Sequence, residues 1–338
     1  MPDTQAADAA RAPTDLEAAD VGRSPANLEV LTIGRVSVDL YPQQSGVPLS
    51  KVQTFAKSIG GSPTNVAVAC ARLGRRAAVV TRVGDDGFGE YIRADLAEKF
   101  GVDNRFVSTD PDLRTALAFC ALDPPTDPPL LFYREPRGPE MNLRPADIPD
   151  IAATVPVLWT AGSRFAQEPS RSTVMRVLEQ RNRRPHTVLD LDFRPSFWTS
   201  REEASTHISQ AVELATVAVG NRTECEIAIG TSDPHTAADR LLDRGVSLAI
   251  VKQGADGVLV ATPESRAEVR PMPVEVVCGL GAGDAFGGSL ADGLLAGLDP
   301  VEIVTRANAA GAIVAGRLAC SDAMPTPAEI DEMLARGQ

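Results

Sequence analysis

The chain has 338 residues, and 33 Lys and Arg against 45 Asp and Glu give it a formal charge of −12. This acidic balance disfavours a sequence-independent grip on nucleic acid and attraction to anionic membranes. Hydrophobic residues make up 43% of the chain, so it can bury a sizeable core, and its length suits one large α/β domain with an appendage or two smaller domains.

The N-terminal segment, residues 1–28, is rich in Ala, Asp, Pro and Thr and has almost no large apolar side chain. Such a composition buries too little surface to offset the entropy of ordering, so we expect a disordered tail. The folded domain is then expected at residues 29–335. An apolar run over 28–33, which ends at Gly34, predicts the first strand.

Apolar runs typical of strands alternate with segments of helical periodicity along the rest of the chain. The predicted strands include 77–83, 157–159, 188–192, 217–219, 248–252 and 258–261. The predicted helices are 64–73, 88–99, 170–181, 204–215, 281–295 and 300–318. This alternation predicts an α/β fold with a mostly parallel sheet covered by helices on both faces, in which ligands bind at the C-terminal ends of the strands.

Residues 115–133 interrupt the alternation. Two strand-like runs, 116–122 and 130–133, flank the turn-rich segment 123–129, which indicates a β-hairpin inserted into the α/β chain. A hairpin beside the ligand-binding edge of the sheet would serve as a lid.

Cysteine and histidine usage excludes several kinds of site. The five cysteines lie far apart without a Cys-x-x-Cys pair, so neither a disulfide framework nor a zinc knuckle is predicted. None of the three histidines stands in an acidic or glycine-rich cluster, which disfavours a Ser–His–Asp triad. The chain has no apolar run near the ~20 residues of a membrane span and no signal peptide pattern. We therefore expect a cytoplasmic protein.

The first glycine-rich turn is the run 60–65, with the sequence GGSPTN. Its glycines allow the backbone to approach a small ligand, and Asn65 can both donate and accept hydrogen bonds with a hydroxylated molecule. Ordinary capping of the following helix is the alternative interpretation.

Two further runs follow predicted strands. Asn221 and Glu224 supply an amide and a carboxylate that suit a hydrated Mg²⁺, or they cap the next helix. The run 252–257, KQGADG, forms either a ligand-binding loop or a β-turn with two glycines.

The strongest local signal is the run 278–286, CGLGAGDAF, which leads into an Ala- and Leu-rich helix. Backbone N–H groups of small residues at a helix N-terminus form an anion-binding site, and Asp284 in the first turn can face what they hold. Tight packing alone would also explain the glycines. The chain has no Walker motif, and Phe286 replaces the third glycine of the dinucleotide motif, which disfavours an NAD-linked oxidoreductase.

Together, and in this order, these runs resemble the signatures of the ribokinase-like (pfkB) family of carbohydrate kinases. GGSPTN, with Ala67, Gly74 and Gly84, is similar to the N-terminal signature of that family. The runs 281–284, 221–224 and 252–257 resemble its catalytic motif, its metal and phosphate motif and its ATP loop. The resemblance spans about residues 29–335 and implies a ribokinase-like three-layer α/β/α core, with a small β-rich lid drawn from about 36–56 and 113–136.

The resemblance implies phosphoryl transfer from ATP to a primary hydroxyl of a sugar, with Mg²⁺ and a monovalent cation as implied cofactors. Asp284 would be the base, and the amides of Gly281, Ala282 and Gly283 would stabilise the transferred group. The nucleotide, metal and phosphate contacts would come from Asn221, Glu224, Lys252, Gly254, Gly257 and Asn308. The sugar contacts would come from Arg35, Asp39, Gly60, Gly61, Asn65, Arg134, Asp192 and Arg194.

One departure from the family pattern stands next to the catalytic motif. The family usually has Asp-Thr there, with one residue before Gly-Ala-Gly-Asp, whereas this chain has Cys278 and Gly279. The replacement affects any metal or nucleotide contact of the missing Asp and leaves the base in place.

Two arginines indicate an acid sugar as the substrate, because a guanidinium group binds a carboxylate in a bidentate manner. Arg134 follows the second strand of the hairpin, and Arg194 follows the strand 188–192; in the family, acid-sugar kinases have arginines at comparable positions. Alternatively, Arg134 is an ordinary surface residue and Arg194 pairs with a preceding acid.

Other functions remain open alternatives. These are kinases of 2-keto-3-deoxygluconate, fructose or ribose and, more distantly, a non-catalytic sugar or nucleotide sensor. We expect a homodimer or higher oligomer, and no nucleic-acid or membrane partner.

Overall fold

The computed structural model describes residues 27–44, 47–122 and 129–336. The expected tail lies outside this part except for its last two residues, and the turn of the predicted hairpin lies outside it except for Pro129. Leu28 is only 8% exposed and packs in the core, so the folded part of the chain already includes a residue that the sequence assigned to the tail.

The described residues form strands and helices in the alternating order that the sequence predicts. The strands are β1 (Val30–Ile33), β2 (Ser37–Pro42), β3 (Phe55–Gly60), β4 (Ala77–Gly84), β5 (Val107–Asp110), β6 (Leu117–Cys120), β7 (Leu130–Tyr133), β8 (Val157–Ala161), β9 (Thr187–Asp190), β10 (Val217–Asn221), β11 (Leu248–Lys252), β12 (Val258–Ala261) and β13 (Arg266–Val269). The helices are α1 (Ser62–Arg72), α2 (Gly87–Ala94), α3 (Ser170–Arg181), α4 (Arg201–Val212), α5 (Arg222–Ile229), α6 (Pro234–Asp243), α7 (Ala282–Ala296), α8 (Pro300–Ala315) and α9 (Pro327–Arg336).

The larger sheet has the strand order β13-β12-β11-β10-β9-β8-β1-β4-β5. Its strands are parallel from β11 to β5, and at the other edge β12 pairs antiparallel with both β11 and β13. This arrangement confirms the predicted α/β fold with a mostly parallel sheet, and it places the C-terminal ends of β8, β9, β10 and β11 side by side.

Each face of the sheet packs against its own layer of helices. All five residues of β8 are buried, as expected for a strand covered on both sides. Because successive side chains point to opposite faces, Trp159 packs with α1, α7 and α8, whereas Leu158 packs with α3, α4 and α6. The three-layer core therefore has two apolar interiors separated by the sheet.

The smaller sheet has the order β3-β2-β6-β7. The predicted hairpin is confirmed in the antiparallel pair β6 and β7, although β6 is shorter than the predicted run, and β2 pairs with β6 in parallel. One face of this sheet, with Asp39 and Phe132, is turned toward the C-terminal edge of the larger sheet. The other face exposes Leu131 and Tyr133, with 47% and 63% of their surface accessible.

Two glycines start the helices that lead into the site. Gly61 precedes α1 with φ of 99°, and a Cβ atom there would lie 2.4 Å from the carbonyl oxygen of Arg35, so only glycine fits. Gly281 precedes α7 with φ of 81°. The helices then pack closely, because a Cβ on Gly288 would lie 2.3 Å from that of Ala69. Helix α1 starts at Ser62, two residues before its predicted start, because Ser62 and Pro63 occupy the first turn.

Candidate active site

Asp284 lies in the first turn of α7 and is fixed by the first glycine-rich turn. Its Oδ2 accepts a hydrogen bond of 2.7 Å from Nδ2 of Asn65, and the Oδ1 of Asn65 accepts one of 2.7 Å from Ser321. Burial raises the pKa of Asp284, which the hydrogen bond from Asn65 and the charge of Arg194 partly offset. A carboxylate with a raised pKa is a better proton acceptor than an ordinary aspartate.

Backbone N–H groups form a cradle beside this carboxylate. The amides of Asp284 and Ala285 donate to the carbonyl of Gly281 at 3.0 and 2.9 Å, which closes the first turn. The amides of Gly281, Ala282 and Gly283 donate to no protein acceptor within residues 27–44, 47–122 and 129–336. These free donors stand at the positive end of a 15-residue helix, so the cradle is suited to an anion.

A small cavity of about 50 Å³ lies on one side of Asp284. Besides Asp284, six predicted site residues line it, namely Arg35, Asp39, Gly61, Asn65, Arg194 and Gly281. Leu130 and Phe132 of β7 cover it from the smaller sheet. The cavity thus brings together residues that lie up to about 250 positions apart in the chain.

Asp39 is a buried acid in this cavity. Its Oδ1 accepts a hydrogen bond of 2.8 Å from the Ser37 hydroxyl, and burial raises its pKa to about 6 against the lowering effects of Ser37 and Arg35. A Cβ on Gly60 would lie 2.1 Å from this carboxylate. Gly60 therefore makes room for Asp39 and does not itself line the cavity.

Arg194 pairs with a preceding acid, the alternative that the sequence left open, and it also borders the cavity. Its Nε donates to Oδ1 of Asp192 at 2.8 Å, yet 42% of its side chain stays exposed and lines the cavity. Asp192 also accepts a hydrogen bond of 2.5 Å from Ser163. Burial would raise the pKa of Asp192, but Arg194 and Arg35 outweigh it and lower the pKa to about 2, so Asp192 stays charged and orients Arg194.

Arg134 does not line the cavity in this structure. It pairs with Glu140, and its guanidinium carbon lies 4.1 Å from the ring centre of Phe197. Arg35 contacts the same ring at 5.5 Å. Nη1 of Arg134 and Nε of Arg35 are buried without a hydrogen-bond acceptor among the described residues.

Two residues of this cluster have no counterpart in the sequence prediction. Glu140 and Arg164 are fully buried, and Nη1 of Arg164 donates to the carbonyl of Glu140 at 3.2 Å. Arg164 follows β8 at the ligand-binding edge, and its position after an apolar strand is the one signal that could have indicated it. Glu140 has no comparable signal, because it lies in a loop after the smaller sheet.

A second cavity of about 340 Å³ lies on the other side of the cradle. The predicted nucleotide residues that line it are Lys252, Gly254, Gly257 and Asn308, together with Ala282 and Gly283. Met272, Val274 and Phe286 give it an apolar wall. The Nδ2 of Asn308 donates to the carbonyl of Arg270 at 3.1 Å. A cavity with an apolar wall that borders an anion cradle suits a nucleotide base and its phosphates.

Asn221 and Glu224 form a reciprocal helix cap at the start of α5. The Asn221 side chain accepts from the amide of Glu224 at 2.9 Å, and the Glu224 carboxylate accepts from the amide of Asn221 at 2.7 Å. They line neither cavity, and no cluster of three or more His, Cys, Asp or Glu in the described ranges could hold a metal. This donor set fits Mg²⁺ only where water and phosphate supply most of its ligands.

Comparison with known proteins defines the class. The family described as "pfkB family carbohydrate kinase" matches residues 27–327, and the chain belongs to it. The chain is therefore a carbohydrate kinase, as the sequence motifs predict. No helix within the described ranges is both long and apolar enough to cross a membrane.

Curated relatives point to one kind of enzyme. The 5-dehydro-2-deoxygluconokinase of Geobacillus thermodenitrificans (strain NG80-2) is 33% identical over 305 residues, which cover 88% of this chain and 90% of that protein. The protein of the same name from Geobacillus kaustophilus (strain HTA426) is 32% identical over the same shares of the two chains.

Solved structures confirm the ribokinase-like fold. A fructokinase double mutant from Vibrio cholerae O395, crystallised with fructose, ADP and potassium ion, superposes with a TM-score of 0.82 at 30% identity and covers 92% of this chain and 100% of its own. The aminoimidazole riboside kinase of Salmonella enterica, complexed with aminoimidazole riboside and an ATP analog, gives 0.76 at 27% identity and covers 90% and 99%.

Proposed function

We propose that this kinase phosphorylates the primary hydroxyl of an acid sugar, and that its substrate is 5-dehydro-2-deoxygluconate, which becomes the 6-phosphate. The main observation in support is that several arginines lie at or beside the cavity next to Asp284. Arg194 and Arg35 line it, and Nε of Arg35 is buried without an acceptor among the described residues. Arg134 does not line the cavity, but it packs on the same Phe197 ring as Arg35 and also keeps a buried N–H donor without an acceptor there. Unsatisfied buried guanidinium donors favour an anionic ligand such as a carboxylate. The names of the curated relatives support the same substrate.

The proposed reaction takes place between the two cavities. The sugar oxygen forms a bond to the γ-phosphorus of ATP, the bond from that phosphorus to the β,γ-bridging oxygen breaks, and the hydroxyl proton passes to Asp284. The amides of Gly281, Ala282 and Gly283 stabilise the charge on the transferred group. Because the transition state is loose, positioning and electrostatics supply most of the catalysis.

The remaining contacts follow from the placement of the side chains. ATP would occupy the 340 Å³ cavity against Lys252, Gly254, Gly257 and Asn308. Asn221 and Glu224 would hold Mg²⁺ through water, and the ion would neutralise part of the phosphate charge. We further propose a monovalent cation near the cradle, supported by the potassium in the Vibrio cholerae crystal.

We also propose that residues 29–335 act as one kinase domain with a lid, in a homodimer or higher oligomer in the cytoplasm. The apolar outer face of the smaller sheet, with exposed Leu131 and Tyr133 beside Phe119, supports an interface between subunits. The five cysteines are free and buried, which suits a reducing compartment.

The base assignment is tested by Asp284→Asn. We expect turnover to fall by about 10²–10⁴-fold, since the variant cannot accept the hydroxyl proton, while ADP still binds. Steady-state kinetics and calorimetric ADP titration measure the two effects, and Asp243→Asn, at an exposed acid outside both cavities, is the control. Near-normal turnover of Asp284→Asn would refute the assignment.

The substrate class is tested by a sugar panel with Arg194→Ala. The wild-type enzyme should prefer 5-dehydro-2-deoxygluconate to 2-keto-3-deoxygluconate, fructose and ribose. Loss of a charge-assisted contact should raise the KM for acid sugars by about 10- to 100-fold and leave neutral sugars unchanged. Arg184→Ala, at an exposed arginine, is the control. Equal effects on acid and neutral sugars would refute the carboxylate contact, and a wild-type protein without turnover would indicate a sensor.

A further inference from the structure

Lys252 lies in the 340 Å³ cavity, on the side of the amide cradle. It ends β11 and lines the nucleotide cavity next to Ala282 and Gly283. Its ammonium nitrogen lies 3.6 Å from the point that a Cβ atom on Gly283 would occupy. The ammonium group is therefore beside the amide cradle, where a phosphoryl group must pass on its way to the sugar.

The Lys252 ammonium is surrounded by acids but bound to none of them. Four carboxylates act on it electrostatically, those of Asp190, Glu224, Asp284 and Asp192. Within the described ranges none lies within 4 Å of Nζ as an ion pair, and Nζ donates no hydrogen bond to the protein. A lysine side chain is an ammonium cation at neutral pH, so Lys252 presents three N–H donors that have no acceptor among the described residues.

We propose that Lys252 is a catalytic residue whose ammonium group donates hydrogen bonds to the γ-phosphoryl oxygens during transfer. The proposal rests on phosphoryl transfer at this site, and not on which sugar is the acceptor. Lys252 keeps its protons throughout, because the hydroxyl proton passes to Asp284 and ADP leaves with the electrons of the broken bond. A fixed cation in a partly buried site stabilises charge on the equatorial oxygens more than water does.

The acids around Lys252 explain why a cation is needed at this point. Without it, the carboxylates of Glu224 and Asp284 would leave net negative charge near the ATP phosphates. These acids act on the ammonium through their charge and do not pair with it, so its N–H donors stay available to a phosphoryl group. Asp190 is buried at the end of β9, and burial raises its pKa, while Lys252 acts in the opposite direction.

The test variant is Lys252→Met, which removes the positive charge and keeps the length of the side chain. We expect kcat to fall by about 10²–10³-fold, the effect of removing one transition-state donor, while the Kd for ADP changes by less than about fivefold because ADP lacks the γ-phosphoryl group. Lys51→Met, at an exposed lysine, is the control. Unchanged kcat, or equal losses of ADP affinity and kcat, would overturn the proposal.

Chemical rescue separates catalysis from structure. Added ethylammonium should restore part of the turnover of Lys252→Ala, whereas tetramethylammonium, which has no N–H donor, should not. Equal effects of the two cations would contradict the proposal. Both assays use the sugar of the panel that the wild-type enzyme turns over fastest, together with ATP hydrolysis in the absence of sugar. A preference for neutral sugars would therefore defeat the acid-sugar assignment and still leave the role of Lys252 measurable.

Discussion

Asp39 shows how burying a single acid in the cavity beside Asp284 lowers the stability of the protein at neutral pH. It is 5% exposed, and burial raises its pKa to about 6, whereas an unfolded aspartate titrates near 3.9. The folded protein therefore binds this proton more tightly than the unfolded chain does. Stability is lost as the pH rises from about 4 to about 6, and the loss persists at higher pH.

We predict that the free energy of unfolding of Asp39→Asn, relative to that of the wild type, is more favourable at pH 7 than at pH 4. A change of about two in the pKa corresponds to roughly 3 kcal/mol as an upper limit. The stability of the variant relative to the wild type should therefore be about 1–3 kcal/mol greater at pH 7 than at pH 4. The side-chain amide oxygen of the variant can still accept from Ser37, but loss of the carboxylate should raise the KM for the sugar. Urea unfolding at both pH values measures the effect.

The control for this prediction is Asp243→Asn, which removes an exposed carboxylate at the end of α6. Its effect on stability should be nearly independent of pH. A difference between Asp39→Asn and wild type that is the same at pH 4 and pH 7 would show that Asp39 is not held with a raised pKa.

At this scale the sequence predicts residues that stand in local motifs and misses those that do not. Asn65 and Asp284 each belong to a glycine-rich run that leads into a helix, and the structure joins them by a hydrogen bond. Glu140 and Arg164 act through contacts made only in the folded chain, so neither has a local pattern. The sequence predicts Arg134 at the sugar, whereas the structure pairs it with Glu140, six residues further along the chain.

Among the elements, the contact between α1 and α7 sets the geometry of the site. Both helices begin after a glycine in the left-handed region, and they carry Asn65 and Asp284 in their first turns. The sequence predicts their ends within two residues because glycines and caps mark them. It could not predict their close packing, because that requires Gly288 to face Ala69 across the interface.

We predict that Gly288→Ala destabilises the protein and lowers turnover. Its Cβ would lie 2.3 Å from that of Ala69, so the helices must separate, and overpacking costs about 1–3 kcal/mol even though alanine is the better helix former by about 1 kcal/mol. Separation should also lengthen the contact between Asn65 and Asp284 and reduce kcat. Thermal unfolding and steady-state kinetics measure the two effects.

Gly87 offers a matched comparison, since it lies in the first turn of α2 and a Cβ there would contact nothing within 4 Å. Gly87→Ala should leave stability unchanged or slightly increased, with normal kcat. A Gly288→Ala variant that behaves like Gly87→Ala would show that the helices do not need their close approach.

The whole molecule consists of a large sheet that carries the chemistry and a small sheet that covers it. The sequence predicts the hairpin of β6 and β7 from its turn residues. The parallel pairing of β2 with β6 joins segments about 75 residues apart, and no local pattern encodes it. In this structure the cavity beneath the small sheet measures about 50 Å³, well below the several hundred Å³ typical of small-molecule sites, so we expect the small sheet to move when a sugar binds.

Phe132 is the side chain through which the small sheet closes this cavity. Its ring lies 5.3 Å from the guanidinium carbon of Arg35 and 5.3 Å from the ring of Phe197. Water admitted beside the cradle could take the phosphoryl group in place of the sugar. We therefore predict that Phe132→Ala raises the rate of ATP hydrolysis relative to sugar phosphorylation severalfold, measured as ADP formed per sugar phosphate. Leu131→Ala removes the neighbouring side chain from the outer face of the same strand and should leave this ratio at one, because that face does not border the cavity. A ratio of one for both variants, or an equal rise in both, would mean that the ring of Phe132 does not exclude water from the reaction.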